Sequence, residues 1–331
     1  MAALLAVAPD TSFAQQKTLD LVKERRTLNC GVNTGLAGFG QPNDKGEWTG
    51  LDVDLCRGIA AAIFKDASRV KFVPLTAKER FTALQSGEVD LLSRNTTWTM
   101  SRDTALGLSF TGVMYYDGQS FMVKRSLGAK SVRDLAGASI CVQTGTTNEL
   151  NLADYFRSNG LTYYPVVFEK NDEAVAAYNT GRCDAYTTDS SGLFSERLKL
   201  GPWEEHVIFE DRISKEPLGP AVRQGDAQWA SIVRWTLFAM LNAEELGVTS
   251  ANADEMLGSM RPEVRRLLGQ EGSFGKGLGL EDDWAYLIIK AVGNYGESFD
   301  RNLGAGSRIG IKRGLNALWK DGGLHFAPPI R

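Results

Sequence analysis

Residues 89–102 read VDLLSRNTTWTMSR, a short apolar run followed by a polar segment. The apolar run predicts a buried strand, and the hydroxyl-rich residues predict a loop at its carboxyl end. In this loop Arg94 and Arg102 offer guanidinium groups beside the hydroxyls of Thr97 and Thr99. Such groups hold a small carboxylate, and arginine does so as a bidentate fork. An ordinary strand-to-helix loop, with hydroxyls that cap the next helix, is the alternative interpretation.

The preceding residues predict two strands that alternate with helices. The strands are expected at 27–32 and 70–73, an amphipathic helix at 52–64, and a short helix at 79–86. With the strand at the start of the quoted segment, this order is typical of a doubly wound parallel sheet. Ligands bind such sheets beyond the carboxyl ends of the strands, where the loops 33–40 and 94–102 lie.

A second unit of the same kind follows residue 124. Its predicted strands cover 139–142, 164–168 and 183–189, and a helix covers 173–181. Thr146 and Glu149 predict a capping box at the start of another helix, whose free amides suit an anion. The first unit ends in Arg102 and the second in Asp189. Facing each other across a cleft, these two residues would match the carboxylate and the ammonium group of a zwitterion.

The composition is that of a soluble globular protein and leaves room for two domains. The chain has 331 residues, 43% hydrophobic and 23% charged, and its net charge is −3. No segment concentrates Lys and Arg among aromatic residues, so no nucleic-acid partner is expected. No apolar run is long enough to span a bilayer.

The N-terminus and the cysteines favour export from the cytoplasm. Residues 2–8 are apolar, and SFAQ at 12–15 fits a cleavage site after Ala14, although no basic region precedes the apolar run. Residues 1–14 are therefore interpreted as a signal peptide remnant, against the alternative of a frayed tail on a cytosolic protein. Four cysteines and only two histidines predict disulfides rather than a metal site, and four buried thiols remain the alternative.

Five short motifs carry a resemblance to a known family. They are GLDVDL at 50–55, LQSGEVD at 84–90, TWTMSR at 97–102, GTT at 145–147 and TDS at 188–190. In this order they make the chain resemble an extracytoplasmic, periplasmic substrate-binding protein of an ABC polar amino-acid importer. The resemblance runs from about residue 28 to residue 241. The endings GLNALW at 314–319 and APPIR at 327–331 further resemble the general L-amino-acid-binding branch.

The resemblance implies an α/β protein with the two-lobed periplasmic binding protein type II fold, each lobe a doubly wound sheet. Residues 15–116 and 219–331 are expected to form the first lobe, and residues 117–218 the second. The hinge would consist of two crossing segments, near 115–119 and 215–218. The glycine-rich GKGLG at 275–279 lacks the phosphate-loop pattern and is predicted to be a surface loop of a first-lobe extension.

The resemblance also implies which residues bind the ligand. Thr97, Arg102, Thr147 and Asp189 match the positions that hold the charged groups common to all amino acids. Several positions depart from the family's pattern: Leu36 stands where relatives place an aromatic ring, Arg94 where they have Ser, and Asn95 where they have Gly or Ser. The full predicted ligand-binding set is Leu36, Arg80, Arg94, Asn95, Thr97, Arg102, Gln143, Thr147 and Asp189.

Arg80 is expected to decide which side chains are preferred. Dicarboxylate-binding relatives also have arginine there, and Ala77 replaces another ring beside it. We therefore expect broad amino-acid binding with a preference for Glu, Asp, Gln and Asn. An arginine on the exposed face of a helix is the alternative for Arg80.

The implied lobes also predict the disulfides. Cys30 and Cys56 fall in the first lobe, and Cys141 and Cys183 in the second. A bond between lobes would obstruct hinge closure, so Cys30–Cys56 and Cys141–Cys183 are the expected pairs.

Catalytic motifs are missing from the sequence. It contains no G-x-S-x-G elbow and no dinucleotide G-x-G-x-x-G after a strand, and the pair Asp52 and Asp54 is interpreted as a helix cap. Neither catalytic residues nor a cofactor or metal are expected. The expected protein is a monomeric receptor that delivers free L-amino acids to an ABC permease. A dehydratase of the aromatic amino-acid pathway, which shares the fold, is the alternative.

Overall fold

The computed structural model describes residues 17–331. The predicted signal peptide at 1–14 lies outside these residues. The part of the chain that is described contains no helix that could cross a bilayer.

Two five-stranded sheets form the framework of the molecule. In chain order the strands are β1 Leu28–Asn33, β2 Gln41–Pro42, β3 Trp48–Thr49, β4 Val70–Leu75, β5 Leu91–Leu92, β6 Leu108–Phe110, β7 Tyr115–Asp117, β8 Gln119–Lys124, β9 Ser139–Gln143, β10 Tyr164–Phe168, β11 Ala185–Asp189, β12 His206–Ile208, β13 Glu216–Leu218 and β14 Ala221–Arg223. The first sheet has the order β4-β1-β5-β14-β6 and the second β10-β9-β11-β8-β12. We call the parts built on them the first and the second lobe.

The helices cover the faces of the two sheets. They are α1 Thr18–Arg25, α2 Leu51–Phe64, α3 Arg80–Ser86, α4 Met100–Ala105, α5 Thr147–Ser158, α6 Asn171–Asn179, α7 Ser190–Arg197, α8 Ala227–Leu246, α9 Ala253–Met256, α10 Pro262–Leu267, α11 Phe274–Leu278, α12 Trp284–Val292 and α13 Tyr295–Asn302. Helices α2, α8, α12 and α13 share one apolar core with strand β1. The two-lobed α/β fold expected from the resemblance is confirmed. The lobe boundaries at 116/117 and 218/219 stay a prediction.

Each sheet is mixed rather than purely parallel. In the first sheet β1 pairs in parallel with β4 and β5, whereas β14 runs antiparallel to both of its neighbours. In the second, β9 pairs in parallel with β10 and β11, and β8 runs antiparallel to its neighbours. The reversed strands β14 and β8 are those that follow β13 and β7. Because these strands enter their sheet from the other lobe, they run in the opposite direction to the rest.

The hinge is a small antiparallel ladder of β7 and β13, in which Tyr115 pairs with Leu218. The C-terminal segment supports it. The side chain of Asn316 accepts from the Tyr116 amide at 2.7 Å and donates to the Tyr116 carbonyl at 3.1 Å. Tyr295 of α13 donates to the Met114 carbonyl at 2.8 Å. The chain beyond α8 therefore packs on the first lobe and holds the strand that leaves it.

The prediction of a surface loop at 275–279 is wrong. Residues Phe274–Leu278 form helix α11, in which Gly275 and Leu278 are buried. A Cβ atom on Gly275 would lie 2.2 Å from the Glu281 carbonyl oxygen, so glycine allows the helix to pack against the following turn. Gly275 thus serves close packing rather than flexibility.

The two disulfides of the structure are Cys30–Cys56, which links β1 to α2, and Cys141–Cys183, which links β9 to the segment just before β11. These are the pairs expected from the sequence. Each bond closes within one lobe and leaves the hinge free to move.

Candidate ligand-binding site

A small polar cavity lies between the lobes, at the carboxyl ends of their central strands. Its walls are Asn33, Leu36, Arg80, Arg94, Asn95, Thr97, Gln143, Thr146, Thr147, Asn148, Asn171, Tyr186, Thr188, Asp189 and Gly192. The structure therefore brings together eight of the nine predicted ligand-binding residues. Arg102 is the ninth, and it lies outside this wall.

The first-lobe wall depends on the loop after β5, which is anchored by a buried carboxylate. Asp52 accepts from the Asn95 amide at 2.8 Å and from the Ser93 hydroxyl at 3.1 Å. Burial raises the pKa of Asp52 to about 6, against the lowering effect of these hydrogen bonds. Asn95 has φ of 34°, a left-handed conformation that asparagine adopts more readily than most residues. The interpretation of Asp52 as a helix cap was wrong, because its carboxylate holds the binding loop instead.

The same is true of Asp54, the second member of the acidic pair. Its carboxylate accepts from Ser298 at 2.6 Å and from Asn302 at 2.7 Å, and it forms an ion pair with Arg301. Asp54 therefore joins α2 to α13 and does not cap its own helix.

Three guanidinium groups are buried in or behind the first-lobe wall. Arg94 donates to the Leu75 carbonyl at 2.8 Å, and burial lowers its pKa to about 10. Arg80 is 3% exposed, so its interpretation as an exposed helix residue is wrong. Burial lowers the pKa of Arg80 well below its usual value, and the charges of Arg94 and Arg102 lower it further.

Arg80 and Arg102 are aligned by one aromatic ring. Their guanidinium carbons lie 4.8 Å and 5.1 Å from the centre of the Phe81 ring. Arg102 donates to the Thr97 carbonyl at 2.9 Å, and burial lowers its pKa. The Nε atom of Arg80 is buried without a hydrogen-bond partner among the described residues. A negatively charged ligand group would accept a hydrogen bond from this nitrogen. It would also offset the repulsion between the three guanidinium groups.

The second-lobe wall is built on the start of α5 and the end of β11. Thr146 caps α5 by accepting from the Glu149 amide, as predicted. Glu149 bonds to the Gly145 amide and the Thr144 hydroxyl, however, so the reciprocal half of the capping box is not formed. The amides of the first turn of a helix have no partner within it and suit an anion.

Asp189 supplies negative charge on this second wall. Its carboxylate accepts from the Asn148 side chain at 2.9 Å. Burial raises the pKa of Asp189 well above its usual value, and the nearby carboxylates of Glu216 and Asp117 raise it further. A ligand ammonium group would stabilise the charged form of Asp189.

Direct contacts join the lobes across the cavity. The hydroxyls of Thr97 and Thr147 lie 3.2 Å apart. Ser195 of helix α7 donates to the Ala37 carbonyl at 2.8 Å, and Lys199, just after this helix, donates to the Gly35 carbonyl at 3.2 Å. The lobes are therefore closed around the cavity.

Sequence reasoning missed part of the wall and one buried acid of the hinge. The missed wall residues are Asn33, Thr146, Asn148, Asn171, Tyr186, Thr188 and Gly192. Most of these lie at predicted strand ends or helix starts, which was a usable signal. Glu216 gave no such signal, although its side chain touches both Thr97 and Thr147.

Among residues 17–331, no three of the His, Cys, Asp and Glu side chains form a group that could hold a metal ion. The donors of the cavity are guanidinium, hydroxyl and amide groups, and its acceptors are a carboxylate and carbonyls. This set matches an amino acid better than a metal.

The model of the bacterial extracellular solute-binding proteins, family 3, matches residues 28–251. The chain belongs to this family. The general L-amino acid-binding periplasmic protein AapJ of Rhizobium johnstonii is 59% identical over 332 residues. The match covers 100% of this chain and 97% of AapJ. The glutamate/glutamine/aspartate/asparagine-binding protein BztA of Rhodobacter capsulatus is 54% identical over 332 residues. This match covers 100% of this chain and 97% of BztA.

Solved structures of this solute-binding family have the same architecture. An ABC transporter periplasmic binding protein from Brucella ovis, with glutathione bound, is 61% identical and superposes with a TM-score of 0.93. The match covers 95% of this chain and 99% of that one. With relatives of this class along its whole length, the chain is a periplasmic protein of ABC-type amino-acid transport.

Proposed function

We propose that this family member is a receptor for free L-amino acids that closes over its ligand and presents the closed form to an ABC permease. The observation that carries the proposal is the division of charge in one buried cavity. Buried guanidinium groups line the first-lobe wall, and Asp189 lies on the second. Only a ligand with both charges satisfies both walls, and an α-amino acid carries both charged groups on one carbon atom.

We assign the carboxylate of the ligand to Arg102 and to the free amides at the start of α5. The ammonium group is assigned to Asp189. Arg102 already donates to the Thr97 carbonyl through one nitrogen, which leaves the other guanidinium nitrogens available to the ligand. Charge-assisted hydrogen bonds of this kind are about twice as strong as neutral ones.

Arg80 and Arg94 are assigned to the ligand's side chain. Both line the cavity in buried positions, and neither has an acidic hydrogen-bond partner among the described residues. A side-chain carboxylate would pair with them, and a carboxamide oxygen would accept from them. We therefore propose a preference for Glu, Asp, Gln and Asn, with weaker binding of Lys and Arg. BztA, the relative from Rhodobacter capsulatus, has a name that covers the same four ligands.

Glutathione is a second candidate ligand. It ends in a glutamyl group whose free α-amino and α-carboxyl groups repeat the zwitterion of an amino acid, and its other end is a further carboxylate. The Brucella ovis relative holds this molecule. Arg80 and Arg94 offer two cationic groups in the same cavity for the additional charge.

No catalytic role is assigned to the cavity. The three relatives described above are named as binding proteins, and a monomer that needs no cofactor and no nucleic acid suffices for capture and delivery. The dehydratase alternative predicts that purified protein consumes prephenate or arogenate. We expect both compounds to remain unchanged in chromatography, and turnover of either would favour the enzyme.

The receptor is tested by calorimetric titration of the purified chain with the common L-amino acids and glutathione. We expect binding of most neutral and acidic amino acids, tightest for the four named above. Failure of every amino acid to bind would contradict the receptor. Tighter binding of arginine than of glutamate would contradict only the assignment of Arg80 and Arg94.

A further inference from the structure

Glu216 is a buried acid in the hinge strand β13, with 1% of its surface exposed. Its Oε2 atom accepts from the Thr97 hydroxyl at 2.6 Å and from the Thr147 hydroxyl at 2.7 Å. Its Oε1 atom accepts from Asn151 and Ser214, both at 2.6 Å. Four donors on two oxygens satisfy a carboxylate, and no cationic side chain of residues 17–331 forms an ion pair with it.

These contacts join three parts of the molecule at one point. Thr97 belongs to the first lobe, Thr147 opens α5 of the second, and Glu216 lies between them in the hinge. The backbone fixes this alignment, because the Trp98 amide donates to the Pro217 carbonyl at 2.8 Å and the Gly219 amide to the Thr96 carbonyl at 2.9 Å. Glu216 is therefore fixed beside Thr97 by the backbone, and its side chain connects this point to Thr147 and Asn151 of α5 in the second lobe.

Each threonine hydroxyl has a single proton. The two hydroxyls lie closer to Glu216, at 2.6 Å and 2.7 Å, than to each other, at 3.2 Å, so we assign both protons to the carboxylate and leave only acceptor lone pairs for other partners. The rotation of the two hydroxyls is thus fixed before a ligand contacts them. Fixing groups in their bound orientation lowers the entropy cost of binding.

We propose that Glu216 is a positioning residue, which fastens the ligand-contacting threonines of both lobes to the hinge and so prolongs the closed state. The inference rests on the proposed amino-acid receptor. It adds a residue that touches no ligand and acts on every ligand alike. In this role hinge opening separates Thr147 from Glu216, so loss of the contact should speed opening and leave ligand capture by the open form unchanged.

Glu216→Gln tests this role. A carboxamide can accept on one side only, so one of the two donor pairs meets an NH₂ group instead of an oxygen. Stopped-flow measurements should show dissociation of glutamate and of leucine accelerated roughly tenfold or more, with association rates within a factor of two of the parent. Asn151→Ala, which removes a donor from the other oxygen only, should accelerate dissociation less.

Glu244→Gln is the matched control. Glu244 is another largely buried glutamate, paired with Arg313 at 3.0 Å on the first lobe. Its amide variant should lower the thermal midpoint and leave both dissociation rates unchanged. If Glu216→Gln also lowers only the midpoint, Glu216 is structural and the inference fails while the receptor stands. If Glu216→Gln does not fold, an unchanged dissociation rate in Asn151→Ala overturns the inference. If the parent protein binds no amino acid, it is the receptor itself that fails.

Discussion

The two lobes offer the cavity opposite chemistry. The first lobe contributes Arg80 and Arg94, and Arg102 lies just behind them. The second contributes Asp189, hydroxyls and amides, and none of its wall residues is Lys or Arg. Because the charged side chains assigned to the two ends of a zwitterion, Arg102 and Asp189, lie on different lobes, neither lobe should hold an amino acid well alone. Selectivity for amino acids therefore arises from closure of the two lobes rather than from either wall.

The lobes also carry electrostatic strain of opposite sign. In the first lobe, burial and the nearby positive charges of Arg94 and Arg102 lower the pKa of Arg80. In the second, Asp189 lies near two further carboxylates, which raise its pKa together with burial. A bound zwitterion places an opposite charge against each group and relieves both. The following variants break this complementarity at one wall or at its support.

The largest effect is expected from Asp189→Asn. The variant keeps an oxygen that can accept from Asn148 and removes only the charge opposite the ligand ammonium group. An unpaired buried charge on the ligand costs roughly 2–5 kcal/mol, so calorimetry should show weakened binding of every amino acid. Asp154→Asn, an exposed position of the same lobe, is the control and should bind as the parent does. Affinity of Asp189→Asn within threefold of the parent would disprove the assignment.

Much of the division between lobes could be predicted from the sequence. The strand periodicity placed 89–102 and 183–189 at strand ends, and both ends line the cavity. Arg94, Asn95 and Asp189 were predicted because local pattern and resemblance pointed to the same positions. These residues lie at the ends of strands, and strand ends can be located from the local sequence pattern.

The supports of the wall could not be predicted in the same way. Asp52 contacts Asn95 from 43 residues away, and Glu216 contacts Thr97 from 119 residues away. No local pattern records such contacts, since each depends on how separate elements pack. Gly275 shows the same limit, because the sequence does not distinguish a glycine needed for close packing from one in a flexible loop.

A smaller effect concerns the buried support of the first-lobe wall. The pKa of Asp52 is about 6 in the folded chain and 3.8 as its ordinary value. The folded state therefore binds this proton more tightly. The stabilisation that results is fully present below about pH 4 and is lost as the pH rises through 6. Between pH 4 and pH 7 this amounts to about 2 kcal/mol of unfolding free energy.

Asp52→Asn should remove this dependence. Urea unfolding at pH 4 and pH 7 should show the parent's advantage over the variant shrink by about 2 kcal/mol on going to the higher pH. Asp66→Asn is the control of opposite sign, because hydrogen bonds from Ser68 lower the pKa of that exposed carboxyl. A difference between parent and Asp52→Asn that does not change with pH would show that Asp52 titrates normally.

The smallest effect separates the two tasks of the first-lobe wall. Arg80 and Arg102 share the Phe81 ring, but we assign them to different ends of the ligand. Arg80→Ala removes a charge from the side-chain end, so glutamate should lose roughly tenfold in affinity and leucine little. Arg102→Ala removes a charge from the end common to all amino acids, so both ligands should weaken alike. Calorimetric affinities of glutamate and leucine for the two variants therefore show which arginine contacts which end of the ligand. If Arg80→Ala weakens leucine as much as glutamate, Arg80 contributes to the common end, and the discrimination must come from Arg94, the remaining guanidinium of the wall.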